Sequence, residues 1–357
     1  MGSVSQPESA FSSLKPIPYD EAFRLTKAVA EDTHPQKVSL GAGVYQDENG
    51  KFWTLPSVKK AIPLLPDIHD YLTQGGFAPF VDASRRLLFG EALSARAGDR
   101  LTSVQTVSGT GACHVGTVFL DESVRPKNAW ISDPSWTNHA LIWECAETSS
   151  CRPARTIRRV WTRRRSTKAS PPATWTRTPG RSRHFVERGS LELCVAQSFS
   201  KNFGLYGQRV GALRVLSRDP ATKLAVQSQL IRIVRSEVST SPAFGARVVA
   251  TVLGDPVLRD EWHQDLKTMS SRIKSTREAL LRELKQRGTP GSWDHIVSQI
   301  GMFSYTGLNR EHVKELAEKH HIYLMASGRA CIAGLTPENV SRVAEAIDSV
   351  VRKSGGS

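Results

Sequence analysis

From Cys151 to Val186 the chain runs for 36 residues without one Asp or Glu, and carries 11 Lys or Arg side chains. No apolar spacing of two or of three to four runs through this stretch, which is rich in Arg, Ser, Thr and Pro, so it reads as loop or disorder. A structureless run of that length does not belong inside a compact core. The chain must therefore build its fold from the sequence on either side. The segment also owns the charge. The whole chain has 48 basic and 34 acidic side chains, a net +14. Outside the segment 37 basic face 34 acidic groups, a net +3. The polyanionic partner that +14 invites is thus set aside for the body and attaches only to these 36 residues. Three readings of them stand: a phosphate- or nucleic-acid-binding insert, a solvated excursion, or a stretch whose coding sense differs from that of its surroundings.

The rest has the makings of a large core. With 357 residues, 39% apolar and 23% charged, the chain is no disordered tail and is long enough for roughly two domains. Its five cysteines (Cys113, Cys145, Cys151, Cys194 and Cys331) are odd in number and form no Cys-x-x-Cys pair, which points away from a disulfide framework or a thiolate zinc site; no metal is expected. The first basic residue is Lys15 and no apolar stretch precedes it, so neither a signal nor a transit peptide is expected. No run of 18 apolar residues suggests a membrane span. Cytoplasm is the expected compartment.

Strand-like and helix-like segments alternate. Val38–Leu40, Gln105–Val107, Asn128–Ser132, Leu191–Ala196 and Gly211–Val215 read as strands, with Met302–Thr306 and Ile322–Met325 as strands of a second unit. Helices are expected over Tyr19–Glu31, Thr54–Leu65, Phe80–Leu93, from Thr137, over Thr222–Arg235, Pro256–Arg287 and Pro337–Lys353. This alternation indicates an α/β domain with a smaller domain from the C-terminal part.

Four turns at strand ends carry chemistry. Gln197-Ser198-Phe199-Ser200-Lys201 places a lysine just past a strand among small hydroxyls and glycines, where it can form a Schiff base with an aldehyde cofactor. Arg209, eight residues on, can return to pair with a phosphate. A lone lysine is more often only solvated. Ser108-Gly109-Thr110-Gly111-Ala112 is a turn whose amides can receive a phosphate at a helix start, although many such turns are only turns. Trp136, after Asp133-Pro134-Ser135, can stack on a planar ring or simply pack beneath a loop. Arg329, in Ala326-Ser327-Gly328-Arg329, can clamp a carboxylate or lie at the surface.

In this order these pieces resemble the aspartate aminotransferases, class I pyridoxal-phosphate-dependent aminotransferases of fold type I. Lys37–Tyr45, Val107–Leu120, Ile131–His139, Leu193–Gly211, Ile233–Arg235, Pro242–Val249, Trp262–Met269, Thr289–Asn309 and His321–Arg329 carry the likeness, which covers most of 15–150 and 184–352. The resemblance implies an α/β fold. A large domain with a mixed, mostly parallel sheet would span 49–268, with 151–186 as an anomalous segment. A smaller α/β domain would span 269–357, and 1–48 would form an N-terminal arm and part of the small domain. It implies pyridoxal 5′-phosphate as cofactor, and conversion of L-aspartate and 2-oxoglutarate to oxaloacetate and L-glutamate. Lys201 resembles the cofactor-bearing lysine that also moves the Cα proton. Arg329 resembles the residue holding the substrate α-carboxylate, and Arg235 the one that reaches from the other subunit to the distal carboxylate. Ser108, Gly109, Thr110, Ser198 and Arg209 resemble the phosphate cup, joined by Tyr71 from the partner. Trp136 resembles the ring-stacking indole and Gly43 the backbone position beside the substrate. The implied partner is thus a second copy in a homodimer with shared sites, with dicarboxylic amino acids and 2-oxo acids as substrates and neither membrane nor nucleic acid.

One part of that pattern is missing. Between tryptophan and lysine the family carries an Asn in an Asn-Pro-Thr-Gly motif, an Asp against the pyridine nitrogen, and a Tyr following it. Here Trp136 and Lys201 are 65 residues apart, and no Asn, Asp or Tyr lies between His139 and Lys201. His139 resembles the histidine that supports the missing Asp. The large domain is therefore expected to be incomplete or altered around 146–186. Two alternatives to a working transaminase follow: a protein that binds the cofactor but is catalytically impaired, and a nucleic-acid binder acting through 151–186, whose binding would weaken with salt.

Overall fold

Asp255 and Pro256 set the longest element. The Asp255 carboxylate accepts from the backbone amides of Val257 and Leu258 at 2.7 and 3.1 Å. Pro256 occupies the first helical turn, where no amide is needed, and the helix Pro256–Gln286 runs on for 31 residues. Apart from Asp265, its buried positions, Leu258, Trp262, Leu266, Met269, Ile273, Arg277, Leu280 and Leu284, recur every three or four residues, one stripe facing the core. Gly288, with φ of +62°, ends it. The computed structural model describes residues 9, 11–17, 19–133, 135–149, 156–161, 183, 186–187 and 192–354.

The architecture is α/β with mixed sheets. β1 (Val38–Ser39) pairs in parallel with β8 (Ile322–Tyr323). β2 (Leu101–Val107) and β5 (Leu193–Ser198) both pair antiparallel with β6 (Val210–Leu216), giving the order β2-β6-β5. β3 (Asn128–Asp133) pairs in parallel with β4 (Thr156–Trp161). β7 (Phe303–Tyr305) pairs antiparallel with β9 (Arg329–Cys331). All seven residues of β6 are buried, as a strand covered on both faces requires. Val210 and Ala212 join the main apolar cluster, and Leu213 and Val215 join a second one against helix Ser108–Ser123.

Two expectations are corrected. Thr156–Trp161, read above as loop, is a strand. Ile157, Val160 and Trp161 suit a pleated strand, but the pair Arg158-Arg159 breaks the alternation that would have announced it. Apart from these residues, Arg183 and Val186, the carboxylate-free segment lies outside the described residues. Val186 is buried beside Leu88, Phe89 and Leu93. The expected helix Phe80–Leu93 is two, Ala78–Phe89 and Glu91–Arg96. They divide at Gly90, whose φ of +81° a helix cannot hold.

β6 also buries a charge. Arg214 is fully buried and donates from Nη2 to Ser84 Oγ at 2.6 Å. Its Nε and Nη1 have no partner among the described residues. Burial, with Arg85 nearby, pushes its guanidinium down to about 9.

The N-terminal helix Glu21–Glu31 is tied to the last third of the chain by polar contacts. Asp32, its C-terminal neighbour, accepts from Tyr323 Oη at 2.7 Å and bonds His321 Nδ1 at 2.9 Å. Glu21 accepts from the Ala326 amide.

Trp262 links the core to the candidate site. It is 1% exposed, stacks on Phe203 at 4.8 Å and donates its indole N–H to the Asn202 carbonyl at 2.8 Å. Trp262→Ala should lower unfolding stability by about 3–5 kcal/mol through the cavity and the orphaned carbonyl. Urea denaturation followed by circular dichroism measures it; a loss below about 1 kcal/mol contradicts this packing.

Candidate active site

The loop after β5 carries Lys201 into a half-buried position. Its Nζ donates to the Gly43 carbonyl at 2.5 Å and lies 4.7 Å from the centre of the Tyr206 ring. The Tyr206 hydroxyl in turn accepts from the Tyr45 amide at 2.9 Å, and burial pushes that phenol up to about 12. Burial holds Lys201 below the usual lysine range. The Cys331 thiol opposes that shift, while Arg209 and Arg329 reinforce it. A lowered pKa moves the lysine toward the neutral amine that attack on an aldehyde needs.

Gly43 is a glycine for a steric reason. A Cβ there would stand 2.7 Å from Phe303 Cζ and 3.4 Å from Lys201 Nζ. The Arg329 guanidinium lies over the other part of this wall, 4.5 Å from the Phe303 ring centre. Arg329, Phe303, Gly43 and Lys201 therefore form one group, a cation facing an amine across an apolar ring.

A second group lies at the start of helix Ser108–Ser123. Ser108, buried at the first position, bonds its Oγ to Ser200 Oγ at 3.1 Å. Its amide donates to the Arg209 carbonyl at 3.0 Å. Arg209 donates from Nη1 to the Tyr206 carbonyl at 3.0 Å and to Ser200 Oγ at 3.4 Å. Ser108 and Arg209 both hold left-handed backbone, with φ of +64° and +51°. Such strain costs about 1–3 kcal/mol for each residue and concentrates at functional sites. Gly109 and Thr110 occupy the first turn of the same helix, where free amides favour an anion.

This end fits a phosphate ester. A Cβ added at Gly109 would come within 2.9 Å of Ser198 Cβ, so a cradle exists that a side chain would fill. Gly109→Ala should weaken binding of pyridoxal 5′-phosphate about tenfold, roughly 1.4 kcal/mol. Equilibrium dialysis reads this; unchanged affinity would remove Gly109 from the cradle.

Trp136 is 39% exposed, and its ring meets His139 edge-on at 5.3 Å. His139 Nδ1 bonds Ser135 Oγ at 2.8 Å, and burial lowers its pKa. Among the described residues, the charges that act on Lys201 are Cys331, Arg209 and Arg329, with no carboxylate. Tyr71 is 92% exposed. Arg235 is exposed near the end of helix Lys223–Val238 and donates to Ser239 Oγ. Sequence reasoning gave no role to Tyr206, Phe303, Ser200 or Cys331, all of which the structure gathers here. Tyr206 and Ser200 carried a signal, since both stand in Leu193–Gly211, the segment that carries the lysine; Phe303 and Cys331 carried none.

Comparison with known proteins identifies the family. Residues 35–156 and 167–347 match the family described as aminotransferase class I and II. The cytoplasmic aspartate aminotransferase of Saccharomyces cerevisiae is 38% identical, over 96% of this chain and 97% of its own. The L-tyrosine:2-oxoglutarate aminotransferase of Aspergillus ustus is 36% identical, over 95% of this chain and 78% of its own. The solved structure of the yeast cytoplasmic aspartate aminotransferase superposes with a TM-score of 0.87 at 36% identity, covering 96% of this chain and 99% of that one. The yeast alignment occupies 405 positions against 357 residues here, so at least 48 of its positions face gaps in this chain. The chain belongs to the class I and II aminotransferases, as a fold-type I, pyridoxal-phosphate-dependent enzyme homologous to the aspartate aminotransferases.

Proposed function

We propose that this chain descends from an aspartate transaminase that converts L-aspartate and 2-oxoglutarate to oxaloacetate and L-glutamate. The observation that carries the reading is Lys201, an amine with a depressed pKa held between the Gly43 carbonyl and the Tyr206 ring, with Arg329 beside it. Bound there, pyridoxal 5′-phosphate supplies an aldehyde and an electron-accepting ring. Ser108, Gly109, Thr110, Ser198 and Arg209 would hold its phosphate, and Trp136 would cover its ring. Arg329 would hold the substrate α-carboxylate. Lys201 takes the Cα proton and returns it, and Gly43 leaves room beside the substrate.

A homodimer completes the site in this reading. Tyr71 and Arg235 stand exposed on the single chain, where a partner's cofactor phosphate and the distal carboxylate of its substrate would meet them. Phe11, Leu14, Ile17, Tyr19 and Phe23 are each more than 70% exposed, an apolar arm that a second copy would cover. Residues 1–48, 49–268 and 269–357 serve as arm with part of the small domain, large domain and small domain. The compartment follows the yeast relative, whose name places it in the cytoplasm. No described helix is long and apolar enough to cross a membrane.

Dicarboxylate preference is the discriminating test, because the Aspergillus relative is named for tyrosine. Single-turnover spectra of the cofactor-loaded chain should change faster with L-aspartate than with L-tyrosine or L-alanine. Arg235→Leu should erase that advantage by about a hundredfold, the worth of one desolvated charge pair. A chain that favours tyrosine, with Arg235→Leu unchanged, overturns the aspartate reading.

A second reading has its own observation. His139 bonds a serine where the family pattern wants a carboxylate, and no Asp lies between it and Lys201. This favours a protein that binds the cofactor and is catalytically impaired.

A further inference from the structure

We propose that Arg277 is a positioning residue for the carboxylate site: it holds strand β7 so that the Phe303 ring lies against the Arg329 guanidinium and leaves the in-plane donors of Arg329 for a carboxylate. Arg277 stands on the long helix Pro256–Gln286 and is 3% exposed. Its Nη1 donates to the Ile296 carbonyl at 2.6 Å, and its Nη2 to the carbonyls of Gly301 and Phe303 at 2.9 and 2.6 Å. A planar fork of donors can serve three carbonyls at once, and its charge strengthens each bond. Burial pushes the guanidinium down to about 10, so it remains a cation at neutral pH.

The strand these bonds hold has little else to fix it. β7 has three residues and, among the described residues, pairs only with β9. In that register Phe303 stands opposite Cys331, and Tyr305 opposite Arg329. Phe303 and Arg329 are therefore diagonal neighbours, within reach of a ring and a long side chain. Side chains meet β7 where no second strand does. Gln299 accepts from the Tyr305 amide at 2.9 Å and donates to its carbonyl at 3.1 Å, and Arg277 takes the carbonyl of Phe303 itself. The ring is thereby fixed with the Arg329 guanidinium 4.5 Å from its centre. An arginine stacked by its face keeps its edge donors for a carboxylate. If β7 slides, the ring leaves Arg329 or presses on Gly43, where a Cβ would already stand 2.7 Å from Phe303 Cζ. Arg277 acts only through Phe303, and the inference rests on the reading of Arg329 as the carboxylate residue.

Phenylglyoxal labelling of arginines, read by tryptic mass spectrometry, reports whether a carboxylate covers Arg329. The full chain is labelled with pyridoxal 5′-phosphate present, while propionate, a monocarboxylate without an amine, is titrated in at constant ionic strength. Propionate should protect Arg329 and spare the exposed Arg310. Arg277→Lys keeps the cation but not the fork, and Phe303→Leu removes the ring but keeps Arg277. In each, the half-protecting concentration for Arg329 should rise about fivefold or more. Leu284→Ala, a cavity further along the same helix, should lower Tm without moving the protection. Circular dichroism checks each fold; should Arg277→Lys not fold, Phe303→Leu decides. The inference falls if either folded variant is protected at the unaltered concentration, or if Leu284→Ala shifts it equally. If propionate never protects Arg329 in the unaltered chain, the carboxylate reading falls, and this inference with it.

Discussion

Lys201→Ala is expected to abolish the borohydride-stable adduct between this chain and pyridoxal 5′-phosphate. Among the described residues, Lys201 alone combines an amine of depressed pKa with a position among Gly43, Tyr206, Arg209 and Arg329. Reduction with borohydride fixes an aldehyde on the attacking nitrogen, and tryptic mass spectrometry locates it. Binding of the phosphate end should persist, since Ser108, Gly109 and Arg209 are untouched, so the variant separates attachment from binding. Lys201→Arg is the control: it keeps a cation and donors for Gly43, yet forms no adduct. An undiminished adduct in Lys201→Ala, located on another lysine, would overturn the site.

The unaltered chain should turn over L-aspartate at least a thousandfold below an ordinary enzyme, hence below about 0.01 s⁻¹. The ring draws electrons strongly only while its nitrogen stays protonated, and a carboxylate beside that nitrogen keeps it so. From Cys151 to Val186 there is none to offer. Losing such a group costs about 10²–10⁴ in rate, as for other acid–base partners, and the missing Asn and Tyr add to it. Coupling oxaloacetate to its reduction gives the rate directly; turnover above about 10 s⁻¹ would show that another group protonates the ring. Sequencing the transcript across codons 145–190 tests the origin of the loss. A frame or splice choice restoring Asn-Pro-Thr-Gly and Asp-x-x-Tyr would trace it to the message.

Elements with strong local signals were legible from the sequence. Pro256 and Gly288 fix both ends of the long helix, and its apolar stripe allows no other period. β2, β3, β5 and β6 fall within two to four residues of the expected spans, because each ends at a turn of small or left-handed residues. Phe80–Leu93 misled, since a single Gly90 does not disturb apolar spacing although its φ breaks the helix. β4 was missed because its identity as a strand comes from the β3 edge beside it rather than from its own alternation. At the site, Lys201, Arg209, Ser108 and Arg329 stand in turns that advertise chemistry. Phe303 and Cys331 become site residues only through the β7–β9 pairing, which brings distant strands under Lys201. No local pattern encodes that.

The bond from Lys201 Nζ to the Gly43 carbonyl has a consequence for ligand entry. The nitrogen donates to Gly43 through an N–H bond, and condensation with an aldehyde would consume the N–H bonds of the neutral amine as water leaves. The Gly43 oxygen would then lose its donor, while Tyr206 still holds Tyr45 two residues further on. The segment is thus hinged at Tyr45 and latched at Gly43, and the latch opens as the lysine is consumed. Occupancy of the lysine would thereby be transmitted to the Gly43 backbone as a freed acceptor, which water or an incoming amino group can claim.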